Sequence, residues 1–216
     1  VSGTTTTDRT NCTLFNGSAT LTQLTLNGGI VGAGIMGTDF GYVWKDSGGG
    51  TVSTAILTGT ILDFGNYTVV ATKNPGNTLT QAASTPASGC STAPLQVTVN
   101  DKRAFPVVSF ATTPSTSCDN NFDGSITVTA ATTGFAAATT NYNFDWTSKP
   151  ALSVITDKMG VLSNPSQDFQ SEAIGGATFA GERVGQGTYV ITVTNLSNNC
   201  AVVGASVDVQ QNTVPF

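Results

Sequence analysis

Histidine is absent from this 216-residue chain, and its absence removes most of the side-chain chemistry an enzyme would draw on. Neither a Ser-His-Asp triad nor a Cys-His pair can be built. Four cysteines without a CxxC spacing fit a zinc site poorly. Paired carboxylates for glycoside hydrolysis would have to come from thirteen acids that lie mostly in turn-like stretches. Glu172 and Glu182 could meet, but nothing in the sequence fixes them. No catalytic or cofactor-binding residue is expected, and the chain is read as non-enzymatic. One stretch does carry metal-binding character. Asp119-x-Asn121-x-Asp123-Gly124 matches the first half of a calcium loop, with oxygens at positions 1, 3 and 5 ahead of a turn-making glycine. Position 12 is Ala130, so the closing carboxylate is missing. Asp119, Asn121 and Asp123 therefore stand as candidate calcium ligands, against the plainer reading of a tight turn leading into a strand.

The cysteines are the other reactive groups, and a repeat organises them. Cys12-Thr13-Leu14-Phe15-Asn16-Gly17-Ser18 returns as Cys118-Asp119-Asn120-Asn121-Phe122-Asp123-Gly124-Ser125. Phe40 to Trp44 returns as Tyr142 to Trp146, Gly65-Asn66-Tyr67 as Gly187-Thr188-Tyr189, and Gly89-Cys90 as Asn199-Cys200. A period of about a hundred residues means two tandem modules, placed at 1–104 and 105–216. Two cysteines fall in each, so the symmetry favours Cys12–Cys90 and Cys118–Cys200 as disulfides within the modules. Each would close a loop of about 80 residues, worth about 4 kcal/mol in a chain-entropy account. The alternative is four reduced, buried thiols. Disulfides imply an oxidising, extracytoplasmic compartment.

The elements that must position these residues read as strands. Ile126, Val128 and Ala130 alternate with threonines, as do Tyr142, Phe144 and Trp146 with Asn143 and Asp145. Such alternation buries one face and wets the other, as in an antiparallel sandwich. Helix periodicity is almost absent. Gly28-Gly29 and Gly32-Ala33-Gly34 read as a flexible loop, since a phosphate cradle needs a strand before and a helix after. Trp44 and Trp146 sit on the central aromatic strand, where an immunoglobulin-like sandwich buries an indole; a sugar-stacking platform would need them exposed. Asp63-Phe64-Gly65-Asn66-Tyr67 has the form of a tyrosine corner, and the second copy carries Gly185 in place of the Asp. The modules differ at 28–39, at 74–88 and at 158–181, which are expected to be loops and the seat of any divergent function.

The order of Cys, Asn or Asp, Gly, Ser, an aromatic-x-Trp strand, Gly-x-Tyr and a second Cys resembles the SprB-type repeats of large cell-surface adhesins in gliding bacteria of the Bacteroidetes type. Cys118 to Val128, Tyr142 to Trp146 and Gly187 to Cys200 carry the closest match, and the first copy is looser. The resemblance implies an extracellular, cell-surface segment of an adhesin or filament acting in adhesion or gliding motility. It would meet an external surface or polysaccharide, or neighbouring repeats of the same adhesin.

Composition agrees with a packed, uncharged exterior. Charged residues are 10% and hydrophobic ones 39% of the chain, with a net charge of -5. Eight scattered Lys and Arg argue against nucleic acid as partner, and no apolar run approaches the roughly 20 residues that span a bilayer. Four Asn-x-Ser/Thr triplets, at Asn11, Asn16, Asn66 and Asn195, carry little weight in a Thr- and Asn-rich chain. The expectation is all-β: two tandem immunoglobulin-like antiparallel β-sandwich domains in a secreted surface protein. The alternatives are a carbohydrate-binding or accessory module of a secreted hydrolase, and a self-assembling fibre subunit. Both ends of the chain fall near module edges, which reads as a segment of a longer array.

Overall fold

A computed structural model describes residues 3–26, 29–58, 61–75, 89–118, 120–132, 141–160, 166–170 and 182–213. The protein is nearly all β and divides into two compact units, Val1–Lys102 and Arg103–Phe216. Arg103 and Ala104, which the repeat had assigned to the first module, belong to the second. Ala104 is buried there and its carbonyl accepts from Asn198 Nδ2 at 2.8 Å.

Unit 1 holds β1 (Gly3–Thr7), β2 (Ser18–Leu26), β3 (Gly29–Val31), α1 (Ala33–Asp39), β4 (Phe40–Asp46), β5 (Thr51–Ser53), β6 (Gly65–Lys73) and β7 (Leu95–Val99). They form two antiparallel sheets, in the orders β1-β2-β3 and β5-β4-β6-β7. Unit 2 holds β8 (Val107–Thr113), β9 (Ser125–Ala131), β10 (Tyr142–Ser148), β11 (Ser166–Gln170), β12 (Gly187–Asn195) and β13 (Cys200–Val209), in the sheets β11-β9-β8 and β10-β12-β13. The common frame is one strand pair (β1–β2, β8–β9) over a three-strand ladder (β4-β6-β7, β10-β12-β13).

Period-2 alternation sets the inward faces. In β6, Tyr67, Val69 and Ala71 are buried, and in β12 so are Tyr189, Ile191 and Val193. One apolar cluster fills each unit, around Trp44 in the first and around Phe144 and Trp146 in the second. Both indoles are buried, as the strand pattern predicts.

Two stretches expected to be loops are partly regular. Within 28–39 lie β3 and the seven-residue helix α1, because Val31 and Met36 reach the core and the Met36 carbonyl accepts from the buried Tyr42 hydroxyl at 2.6 Å. The insertion at 158–181 contains β11, which pairs with β9 along its full length. Its Phe169 is wholly buried and meets the Trp146 ring edge-on at 5.1 Å. In unit 1 the same side of β2 carries the short β3, paired at Leu24–Leu26, and an isolated bridge, Thr20 to Leu57. Most of 74–88, together with 161–165 and 171–181, lies outside the described residues.

Candidate functional site

The Asn/Asp-Gly-Ser turns come first, because they hold the candidate calcium ligands. Asp123 Oδ1 accepts from Thr116 N at 2.6 Å, Ser117 N at 3.1 Å and Ser115 Oγ at 3.1 Å, and Oδ2 accepts from Thr116 Oγ1 at 2.5 Å. Burial pushes this carboxyl up, but the donors from Thr116, Ser117 and Ser115 outweigh it and hold the group below its ordinary value. Asn16 does the same work in unit 1, accepting from Thr10 N at 2.9 Å and Asn11 N at 3.2 Å. A neutral amide serves as well as the carboxylate, so the conserved role is to fold the loop back on itself. Asn121 is exposed and Asp119 lies outside the described residues. Among the described residues no cluster of three metal-ligating side chains forms. Both carboxylate oxygens of Asp123 are engaged in closing the turn.

The following glycine is fixed by close approach. Gly17 exchanges both backbone hydrogen bonds with Leu62, each 3.0 Å, and Gly124 N donates to the Val184 carbonyl at 3.1 Å. A Cβ on Gly124 would lie 2.6 Å from that carbonyl oxygen. The bridge brings the turn against the tyrosine corner. Tyr67 donates to the Asp63 carbonyl and Tyr189 to the Gly185 carbonyl, both at 2.9 Å, and Tyr189 also reaches Ser153 Oγ at 2.8 Å. Both corners thus form whether the first residue is Asp or Gly.

Arg9 explains why unit 1 keeps the Asp. It is buried, pairs with the Asp63 carboxylate, donates to the Asn11 and Cys12 carbonyls at 3.0 and 3.2 Å, and lies between the Phe15 and Phe64 rings. In unit 2 the Arg9 position is Ser115, by its parallel bridge to Gln211 as Arg9 bridges Asp101. Phe122 fills the space directly, so close that a Cβ on Gly185 would lie 2.8 Å from its ring. Arginine with aspartate in one copy, and serine with glycine in the other, is a paired exchange that the sequence contains and single motifs do not reveal.

The cysteine pairing differs from the expected one. Cys90 and Cys118 are free and exposed, while Cys12 and Cys200 are each disulfide-bonded, so neither Cys12–Cys90 nor Cys118–Cys200 forms. Strand length explains this. Cys12 is held by Arg9 beside Asp63, two residues before β6 begins, whereas the Cys90 carbonyl accepts from Lys73 N at the last residue of β6. Eight residue steps of strand separate these ends, about 26 Å. In unit 2, Cys200 pairs with Asn195 at the end of β12, while Cys118 follows Ser117, whose carbonyl accepts from Gln211 beyond the Gly187 end. A disulfide needs Cα atoms within about 7 Å. Each unit therefore carries its two cysteines at opposite poles.

Other candidates are occupied or peripheral. Glu182 Oε1 accepts from Thr156 Oγ1 at 2.7 Å, and Glu172 lies outside the described residues. Asn195 is wholly buried, whereas Asn66 is exposed on β6. On the outer face of the second sheet of unit 1, Val43, Lys45, Thr68, Val70 and Pro94 line a hollow of about 330 Å³. Four of these have counterparts in unit 2, namely Asp145, Thr147, Val190 and Thr192, a more polar set. No helix among the described residues is long and apolar enough to cross a membrane. No protein-family model matches the chain, and no curated protein is significantly similar to it.

Proposed function

We propose that the chain is a non-enzymatic repeat segment of a secreted adhesin or filament at a cell surface, serving as a spacer and contact module in adhesion or gliding. The observation that carries this reading is the repetition of one frame, with reactive side chains spent on structure. Asp123 and Asn16 close turns, both tyrosines close corners, and both indoles are interior. A disulfide fits an oxidising compartment. The resemblance to SprB-type repeats points the same way.

Contact with an external surface or polysaccharide would fall to the parts that differ between copies, namely the 28–39, 74–88 and 158–181 segments and the hollow on unit 1, with weak contacts multiplied by repetition. The accessory-module reading loses its stacking platform, because Trp44 and Trp146 are buried and Phe15 and Phe64 flank Arg9. Antibody fragments against the chain, applied to unpermeabilised source cells, test the proposal. Surface labelling with weakened attachment or gliding is expected. Labelling that needs permeabilisation would overturn it.

A further inference from the structure

The outward face of the β5-β4-β6-β7 sheet departs from the pattern of its strands. The wet face of an antiparallel sheet is ordinarily polar. Val43 and Val70 nevertheless lie on it, paired directly across β4 and β6, and with Pro94 they line the hollow of about 330 Å³. The next outward pair on the same two strands, Lys45 with Thr68, completes the lining. Partners across two strands stand about 5 Å apart, and successive outward pairs about 7 Å apart. The hollow thus has an apolar end and a polar end.

The polar end is not used by the fold. Elsewhere on the face Thr72 Oγ1 lies 2.7 Å from Ser91 Oγ, and Thr98 Oγ1 donates to Asn66 Oδ1 at 2.8 Å. The Lys45 ammonium and the Thr68 hydroxyl make no such contact among the described residues. Lys45 also carries the only charge among the outward residues of these four strands. Two unused donors, one of them cationic, beside an apolar floor are complementary to an anion with an apolar body.

Unit 2 has the same sheet without these features. Asp145 pairs with Thr192 where Val43 pairs with Val70, and the ladder shifts register between Trp146 and Ser148, where the Lys45–Thr68 pair would fall. Thr147 Oγ1 there donates to the Val190 carbonyl at 3.3 Å. The frame therefore requires neither the apolar pair nor the free ammonium.

We propose that the hollow on unit 1 is a binding site for a small amphipathic carboxylate. Its carboxylate accepts from Lys45 Nζ and Thr68 Oγ1, and its short hydrocarbon body covers Val43, Val70 and Pro94. The volume stands at the small end of ligand sites, which run from roughly 300 to 1,000 Å³. Because Lys45 is exposed, its ion pair adds little, and the dissociation constant is on the order of a millimolar. The site belongs to one sheet of unit 1 and stands apart from the adhesion reading, since surface labelling could fail with ligand binding intact, and the reverse.

Titration of the full isotope-labelled chain with hydrocinnamate and with hexanoate, followed by amide NMR, tests it. Saturable shifts are expected at Val43, Lys45, Thr68 and Val70. The amides of Asp145, Thr147, Val190 and Thr192 should stay in place and report any general effect of salt. Lys45→Met keeps most of the stem and should weaken binding about fivefold, and the neutral hydrocinnamamide should lose a similar factor. Val43→Asp with Val70→Thr installs the pair that unit 2 already accommodates at this register, and should abolish saturation while urea unfolding stays cooperative. Absence of saturable shifts at tens of millimolar, shifts of equal size in both units, or unchanged affinity in Lys45→Met would overturn the proposal. Glucuronate binding as tightly as hydrocinnamate would overturn it too, because the apolar body would then contribute nothing.

Discussion

Asp123 and Trp146 show how much a side chain's surroundings decide. Asp123 carries a carboxyl held below its ordinary value in the folded chain, so its contribution is present above the unfolded value near about 4 and is lost as pH falls through the lower folded one. Asp123→Ala should lower the stability of unit 2 by about 1 kcal/mol at pH 7, and the deficit should shrink in acid denaturation series at the lowest pH. A calcium titration that shifts the melting temperature of the parent but not of this variant would contradict the turn assignment. The indoles offer a second contrast. Trp44 Nε1 donates to the Ala55 carbonyl at 2.8 Å, while Trp146 Nε1 is buried without a partner among the described residues. Trp44→Phe should therefore cost about 1 kcal/mol more than Trp146→Phe in urea unfolding. Both turn and indole burial were legible in the sequence, because Asn/Asp-Gly and alternating aromatics each have a local physical cause. The Arg9–Asp63 pair was not, since its partners are brought together only by the fold.

Among the elements, the alternating strands were legible and the deviations from them were not. β2, β4, β6 and their counterparts announce themselves by period-2 burial. α1 and β11 exist for the sake of single residues, Met36 and Phe169, that fill the core from otherwise polar or glycine-rich stretches. Phe169→Ala should destabilise unit 2 by about 3 kcal/mol or more, the loss expected of a core strand and far above that of a surface loop. Equal stability of variant and parent in urea would contradict the pairing of β11 with β9. Burial lifts the Tyr42 hydroxyl to about 12, so its contribution is complete below the ordinary value of 10 and is lost as pH rises toward 12. Tyrosine absorbance at alkaline pH should thus show a late-titrating group in the parent that Tyr42→Phe removes.

For the whole molecule, strand length overrules symmetry. Counting two cysteines per copy pointed to bridges within copies, but a nine-residue strand puts the two at opposite poles, about 26 Å apart. The most direct test is the connectivity itself. Peptide mapping of the native chain, alkylated before digestion and kept unreduced, should recover Cys12 and Cys200 in disulfide-linked peptides, with Cys90 and Cys118 alkylated. Recovery of Cys12 with Cys90 and Cys118 with Cys200 would contradict the account.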